Sequence, residues 1–117
     1  MTYFWLGETP LYIHRLHCDD TFIGPVFATI DEGDERTVIS STRTKEADGP
    51  FSCITTGPFD LSLIGILAKL SCALAKAEVP IFVISTYRYD HILIPHELED
   101  KAVEALQAAG FSMKART

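Results

Sequence analysis

A chain of 117 residues with a formal net charge of −6 and 47% hydrophobic residues has room for one domain or two very small ones, and such a chain buries roughly two thirds of its unfolded surface. The acidic balance disfavours non-specific nucleic-acid binding, which sets clustered Lys and Arg against phosphates. Anionic membrane surfaces are disfavoured for the same reason. Cys18, Cys53 and Cys72 are odd in number and lack CxxC spacing, so neither a disulfide framework nor a structural zinc site is expected.

Reduced thiols in a cytosolic setting fit that cysteine usage. The apolar residues 3–6 are too few for a signal peptide and follow no basic region. The longest apolar helix is interrupted by Lys69 and Lys76, so it is no membrane span. These features describe a soluble, intracellular protein.

In chain order, Tyr3, Phe4, Trp5 and Leu6 read as a lead that tucks against the body. Residues 11–16 alternate loosely, as a strand does. Asp19, Asp20 and Thr21 can cap a short helical turn, stopped by Gly24 and Pro25. Residues 26–30 are β-branched and aromatic, hence a strand. The turn Asp31, Glu32, Gly33 and Asp34 then leads into a return strand over residues 36–41. Residues 45–50 are polar, contain Gly49 and Pro50, and form the best internal boundary.

Residues 51–56 form a strand that Gly57-Pro58 breaks. A helix is expected to begin at Asp60 or Ser62, either of which can cap it. It ends near Ala77, because Pro80 pushes its predecessor out of helical geometry. Leu63, Leu67, Leu70, Leu74 and Ala77 make a core-facing stripe. Ile64, Ala68, Cys72 and Ala75 form a second apolar flank, covered either by the chain itself or by another copy of it. Residues 81–84 read as a strand covered on both faces. A polar turn and a returning strand, residues 91–94, follow. Glu97, Glu99 and Asp100 crowd the start of a second helix, whose stripe is Leu98, Ala102, Val103, Leu106 and Ala109. Gly110 suits a left-handed C′ position, and residues 111–114 supply a last, edge strand.

From residue 51 the order is therefore βαββαβ. It describes an α+β, ferredoxin-like arrangement of antiparallel sheets with the helices on one face. Residues 1–48 look like a reduced unit of the same kind, and residues 49–117 like the complete one.

Gly57-Pro58-Phe59-Asp60, Gly65-Ile66-Leu67-Ala68, Ser85-Thr86-Tyr87 with Asp90 three residues on, and Ile94-Pro95 resemble an ACT domain, the small-molecule-sensing module of many amino-acid-metabolism enzymes. The resemblance is to the CASTOR-like branch, which is similar to the regulatory ACT domains of aspartate kinases and includes arginine sensors. The chain looks like a small stand-alone bacterial-type member. The resemblance implies a non-enzymatic, cytoplasmic regulatory module that binds an amino acid between two ACT units and forms a homodimer or higher homo-oligomer. Its alternative is an interaction module that has lost the ligand.

The candidate ligand-binding residues are Asp60, Leu61, Ser62, Leu63, Ile64, Gly65 and Ile66, faced by Thr86, Tyr87, Arg88 and Asp90. A helix N-terminus suits a ligand carboxylate, Asp60 or Asp90 suits an ammonium, and Gly65 permits close approach. Asp60 equally suits an N-cap, Gly65 close packing on the sheet, Thr86 and Tyr87 a strand end, and Asp90 a turn. The arginine sensors resemble this loop but carry a carboxylate near the position of Leu63. Leu61, Leu63 and Ile64 are apolar here, which points to a neutral amino acid.

No nucleophile elbow, P-loop or dinucleotide fingerprint occurs, and no cofactor is implied. Asp90, His91 and His96 are the only tempting catalytic cluster, and catalysis is the weak reading. His14, His17, Cys18 and Asp19 are the only tempting metal ligands. On a strand, positions 14 and 17 point to opposite faces, so no metal site is expected. An RNA-recognition domain shares the element order but needs exposed strand aromatics and a basic surface.

Overall fold

A computed structural model describes residues 2–60 and 63–115. Eight strands and two α-helices follow one another as β1 (Tyr3–Leu6), β2 (Leu11–His17), β3 (Ala28–Asp31), β4 (Glu35–Ser40), β5 (Asp48–Thr56), α1 (Ile66–Lys76), β6 (Phe82–Ser85), β7 (Asp90–Pro95), α2 (Glu99–Ala108) and β8 (Ser112–Met113), with a 3-10 turn (His96–Leu98) leading into α2. The fold is mixed α+β, mostly sheet.

All strands belong to one sheet built on β5. Along one edge, β5 pairs with β2 through Phe51 and Asp48, then with β1 through Ile54, Thr55 and Thr56. Along the other it pairs with β7, which in turn pairs with β6. Strands β4 and β3 extend the sheet beyond β2, and β8 extends it beyond β1. The N-terminal lead is thus a strand inserted between β5 and β8. β1 runs antiparallel to β5 and parallel to β8, the latter being the one parallel pairing among the described strands.

Alternation along β5 and β7 separates two cores. On the helix-bearing face Ile54, Ile92 and Ile94 meet Phe4 and the helix residues Leu70, Leu74, Ala102 and Leu106. On the opposite face Cys53 and Leu93 meet Leu11 and Ile39, with Ala28, Phe82 and Ile84 packed around them.

Both helices end in the same hydrogen-bonded motif. Val79 N donates to Leu74 O and Glu78 N to Ala75 O after α1; Phe111 N donates to Leu106 O and Gly110 N to Gln107 O after α2. This pairing is the Schellman motif, which needs a left-handed residue at C′. Gly110 supplies it at φ 99° without strain, whereas Glu78 supplies it at φ 60° with a Cβ in the way.

The structure corrects several expectations. The first helix starts at Ile66, after Gly65 at φ 92°, and no side chain caps it. A left-handed residue cannot propagate a right-handed helix, so Leu63, whose N–H donates to Asp60 O, stays outside α1. Asp60 is therefore not the N-cap, and Ser62 lies outside the described residues. Leu63 precedes the helix and is 52% exposed, so the buried stripe runs through Ile66, Leu70, Ala73, Leu74 and Ala77. Ala68, Cys72 and Ala75 are exposed, so no described segment of the chain covers the second flank. Strand β6 lies at a sheet edge and is half-buried rather than covered on both faces. No helical turn forms after Asp20, whose carboxylate instead accepts the His17 N–H.

Candidate functional site

The loop between β5 and α1 lies against the β6–β7 hairpin. Gly57 makes that approach possible. At φ 137°, a Cβ added to it would stand 2.6 Å from Arg88 O and 2.9 Å from the Tyr89 ring. Two residues on, Phe59 N donates to Arg88 O at 2.7 Å, tying the loop to the hairpin tip.

The tip is closed by its own hydrogen bonds. Thr86 N donates to Tyr89 O at 2.8 Å, and Tyr89 N donates to Thr86 Oγ1 at 3.3 Å. The serine hydroxyl of Ser85 donates to Asp90 Oδ1 at 2.6 Å. Thr86 thus closes a turn rather than merely ending a strand.

Between loop and hairpin lies a small cleft of about 170 Å³ lined by Asp60, Leu63, Ile66, Thr86, Tyr87, Arg88 and Asp90. Beside it a depression of about 380 Å³ shares Asp60, Tyr87 and Arg88. Seven of the eleven residues singled out from the sequence therefore meet around one concavity. Leu61 and Ser62 lie outside the described residues. Ile64 is 90% exposed and lines neither space, so it is not part of the side-chain pocket. Gly65 is not in the lining either. A Cβ there would meet nothing within 4 Å, so neither ligand approach nor packing on the sheet requires glycine, and its positive φ does.

Three lining residues were not among the candidate ligand-binding residues: Phe59, Ser85 and Tyr89. Phe59 and Ser85 were within reach, because both stand in the motifs quoted above. Tyr89 carries no such signal.

The chemistry of the cleft is that of opposite charges on an apolar base. Asp60 and Asp90 are acids, Arg88 is a cation, and Leu63 and Ile66 are apolar. Helix α1 begins at Ile66, so its first N–H groups, which have no partner within the helix, border the same space.

The catalytic cluster does not assemble. His91 and Asp90 are neighbours on β7 and face opposite sides of the sheet. His91 Nδ1 lies 2.9 Å from Thr55 Oγ1. On the helix-bearing face, His96 Nδ1 lies 2.8 Å from Ser52 Oγ, which donates to Glu99 Oε1 at 2.8 Å. This network ties α2 to β5. With its proton on Glu99, the serine is not set up as a nucleophile. His14 is buried with Nε2 2.9 Å from Thr42 O. His17, Cys18 and Asp19 are exposed, and their ligand atoms lie within 4.8 Å of one another. No helix among the described residues is long and apolar enough to cross a membrane.

Among solved structures, the chain is similar to protein Atu0741 from Agobacterium tumefaciens, with TM-score 0.84, 23% identity, and 99% of this chain and 94% of that one covered. It is similar to VC0802 from Vibrio cholerae, a protein of unknown function described as a possible transport protein, with TM-score 0.77, 22% identity and coverage of 92% and 89%. It is also similar to aspartokinase alpha and beta subunits, with TM-score 0.66, 15% identity and coverage of 92% and 97%. At these identities the likeness is one of fold. A family model described as an ACT domain matches residues 50–108, the stretch that holds β7, both helices and the walls of the cleft. ACT domains are regulatory, ligand-binding modules and generally non-catalytic. The chain belongs to the ACT-domain family.

Proposed function

We propose that the cleft between the β5–α1 loop and the β6–β7 hairpin binds a neutral amino acid, and that the protein is a cytoplasmic, non-enzymatic sensor of it. One observation carries the reading: Asp60, Asp90 and Arg88 line a concavity at the uncapped start of α1. A zwitterion has one group for each. The helix N–H groups and Arg88 receive the carboxylate, and an aspartate receives the ammonium. Leu63 and Ile66 lie where the ligand side chain would run, which disfavours a second charge there.

The motifs quoted above support membership of the CASTOR-like branch. In this reading residues 1–48 form a reduced ACT-like unit and residues 49–117 the ACT domain. Two copies associate through the exposed flank of α1, because an apolar strip left in water is unusual for a monomer. Isothermal titration against the twenty amino acids tests the binding: saturable heat with a neutral amino acid is expected.

A second reading has its own observation. Ile64 is 90% exposed and Tyr87 75% exposed beside the cleft, which suits an interaction module that has lost its ligand. That reading takes over if no amino acid gives heat at about millimolar concentration, where a binding free energy is only about −4 kcal/mol.

A further inference from the structure

On the face of the sheet away from the helices lies a larger cleft, about 830 Å³ in volume. Four rings stand around it, and they come from four separate parts of the chain: Trp5 on β1, Phe27 before β3, Tyr89 in the hairpin tip and His91 on β7. Trp5 and Tyr89 meet edge to face with centroids 6.0 Å apart. Phe27 and His91 do the same at 5.1 Å, and Tyr89 stacks on His91 at 6.3 Å. The rings are thus held by one another, in the offset and edge-on arrangements that aromatic pairs prefer. A volume of several hundred Å³, mostly apolar with a few polar groups, is what small-molecule sites have.

The polar side chains of the lining are Glu8, Thr9, Thr55, Tyr89, His91 and Lys114, so one acid and one base stand at the cleft. Thr55 Oγ1 and His91 Nδ1 pair at 2.9 Å within the lining. Lys114 is the one Lys or Arg among the described lining residues, and its Nζ sits 5.4 Å from the Trp5 ring centroid and 5.2 Å from that of Tyr3. Trp5 is only 8% exposed, and its Nε1–H has no acceptor among the described residues. A buried donor left unpaired costs about 1–3 kcal/mol, so native structures rarely keep one without reason.

We propose that this cleft is a second ligand site, distinct from the loop cleft, for a small carboxylate that carries a flat apolar body. The rings supply edges and faces to a flat body, and Lys114 supplies the charge partner for a carboxylate. Lys114 already takes the cation position over the Trp5 ring.

The chain has a single tryptophan, so its indole N–H NMR signal is a resolved reporter on this cleft. Phenylacetate and its neutral analogue phenylacetamide serve as probes. The Trp5 signal should move saturably with phenylacetate, and about tenfold more phenylacetamide should be needed for the same shift. Lys114→Met should weaken phenylacetate about tenfold and leave phenylacetamide unchanged; the residue is exposed, so the fold survives the change. Phenylacetate should leave the backbone amide signals of Ile66 and Thr86 unmoved, which separates this site from the loop cleft. A Trp5 signal unmoved at about 10 mM phenylacetate, weaker than any useful affinity, overturns the proposal. So does equal response to acid and amide, or a shift that follows protein concentration instead of ligand, since the cleft would then be closed by a second copy.

Discussion

Ser85 and Asp90 are partners in the last rung of the β6–β7 hairpin, and the Ser85 hydroxyl donates to Asp90 Oδ1 at 2.6 Å. The hydrogen bond fixes the carboxylate on the wall of the loop cleft. An ionised carboxylate has about four acceptor positions, so holding it by one serine leaves capacity for a ligand ammonium. Asp90→Asn keeps the shape and an oxygen for Ser85 but removes the charge. Affinity for the amino acid should fall by about 1.5–3 kcal/mol, or one to two decades. Thermal stability should stay within about 0.5 kcal/mol of the parent. Calorimetric titration and a melting curve on the same sample check both.

Gly57 sets the distance between the cleft walls. Gly57→Ala would force a Cβ into Arg88 O, with a φ that alanine avoids. It should cost about 2 kcal/mol or more, read as a lowered urea midpoint. Gly65→Ala has no clash to make and should cost only about 1–2 kcal/mol through its φ of 92°. Gly65→Asn should recover part of that loss, because asparagine tolerates the left-handed region.

The two helix ends make an internal comparison. Glu78 and Gly110 occupy equivalent C′ positions, and only one is a glycine. Glu78→Gly should stabilise the protein by about 0.5–1 kcal/mol, and Gly110→Ala should destabilise it by about 1 kcal/mol. Equilibrium denaturation of the two variants measures both signs. Equal and same-signed changes would contradict the shared-motif account.

The exposed flank of α1 carries the assembly prediction. Ala68, Cys72 and Ala75 lie on one side of the helix and face water in the single chain. Light scattering at tens of micromolar, roughly the range where weak dimers persist, should give more than the 13.0 kDa of one chain. Ala75→Glu should return it to that mass. A clean monomer for the parent protein would refute the interface.

Much of this architecture was legible in the sequence, where local chemistry and pattern agree. Gly110, the stripe of α2 and the Gly33 turn announce themselves because propensity, period and turn residues point the same way. The start of α1 was misread because Asp60 and Ser62 are good caps, and nothing local says that Gly65 takes a positive φ. The place of β1 was hidden for another reason. Four apolar residues carry no register, and the gap they fill lies between strands some fifty residues on or more. The hairpin-tip residues that line the loop cleft could be grouped from the sequence because the tip is a contiguous stretch. The ring-lined cleft was invisible because Trp5, Phe27, Thr55, Tyr89 and Lys114 become neighbours only through the sheet order.

The central claim is that a neutral amino acid sits between the β5–α1 loop and the β6–β7 hairpin, and backbone amide chemical-shift mapping tests it most directly. The protein is titrated with each neutral amino acid that gives heat in calorimetry. The account predicts the largest shifts at the first N–H groups of α1, from Ile66 onward, and at Thr86, Tyr87, Arg88 and Asp90. Shifts centred anywhere else, or none with any amino acid at about millimolar concentration, would contradict it.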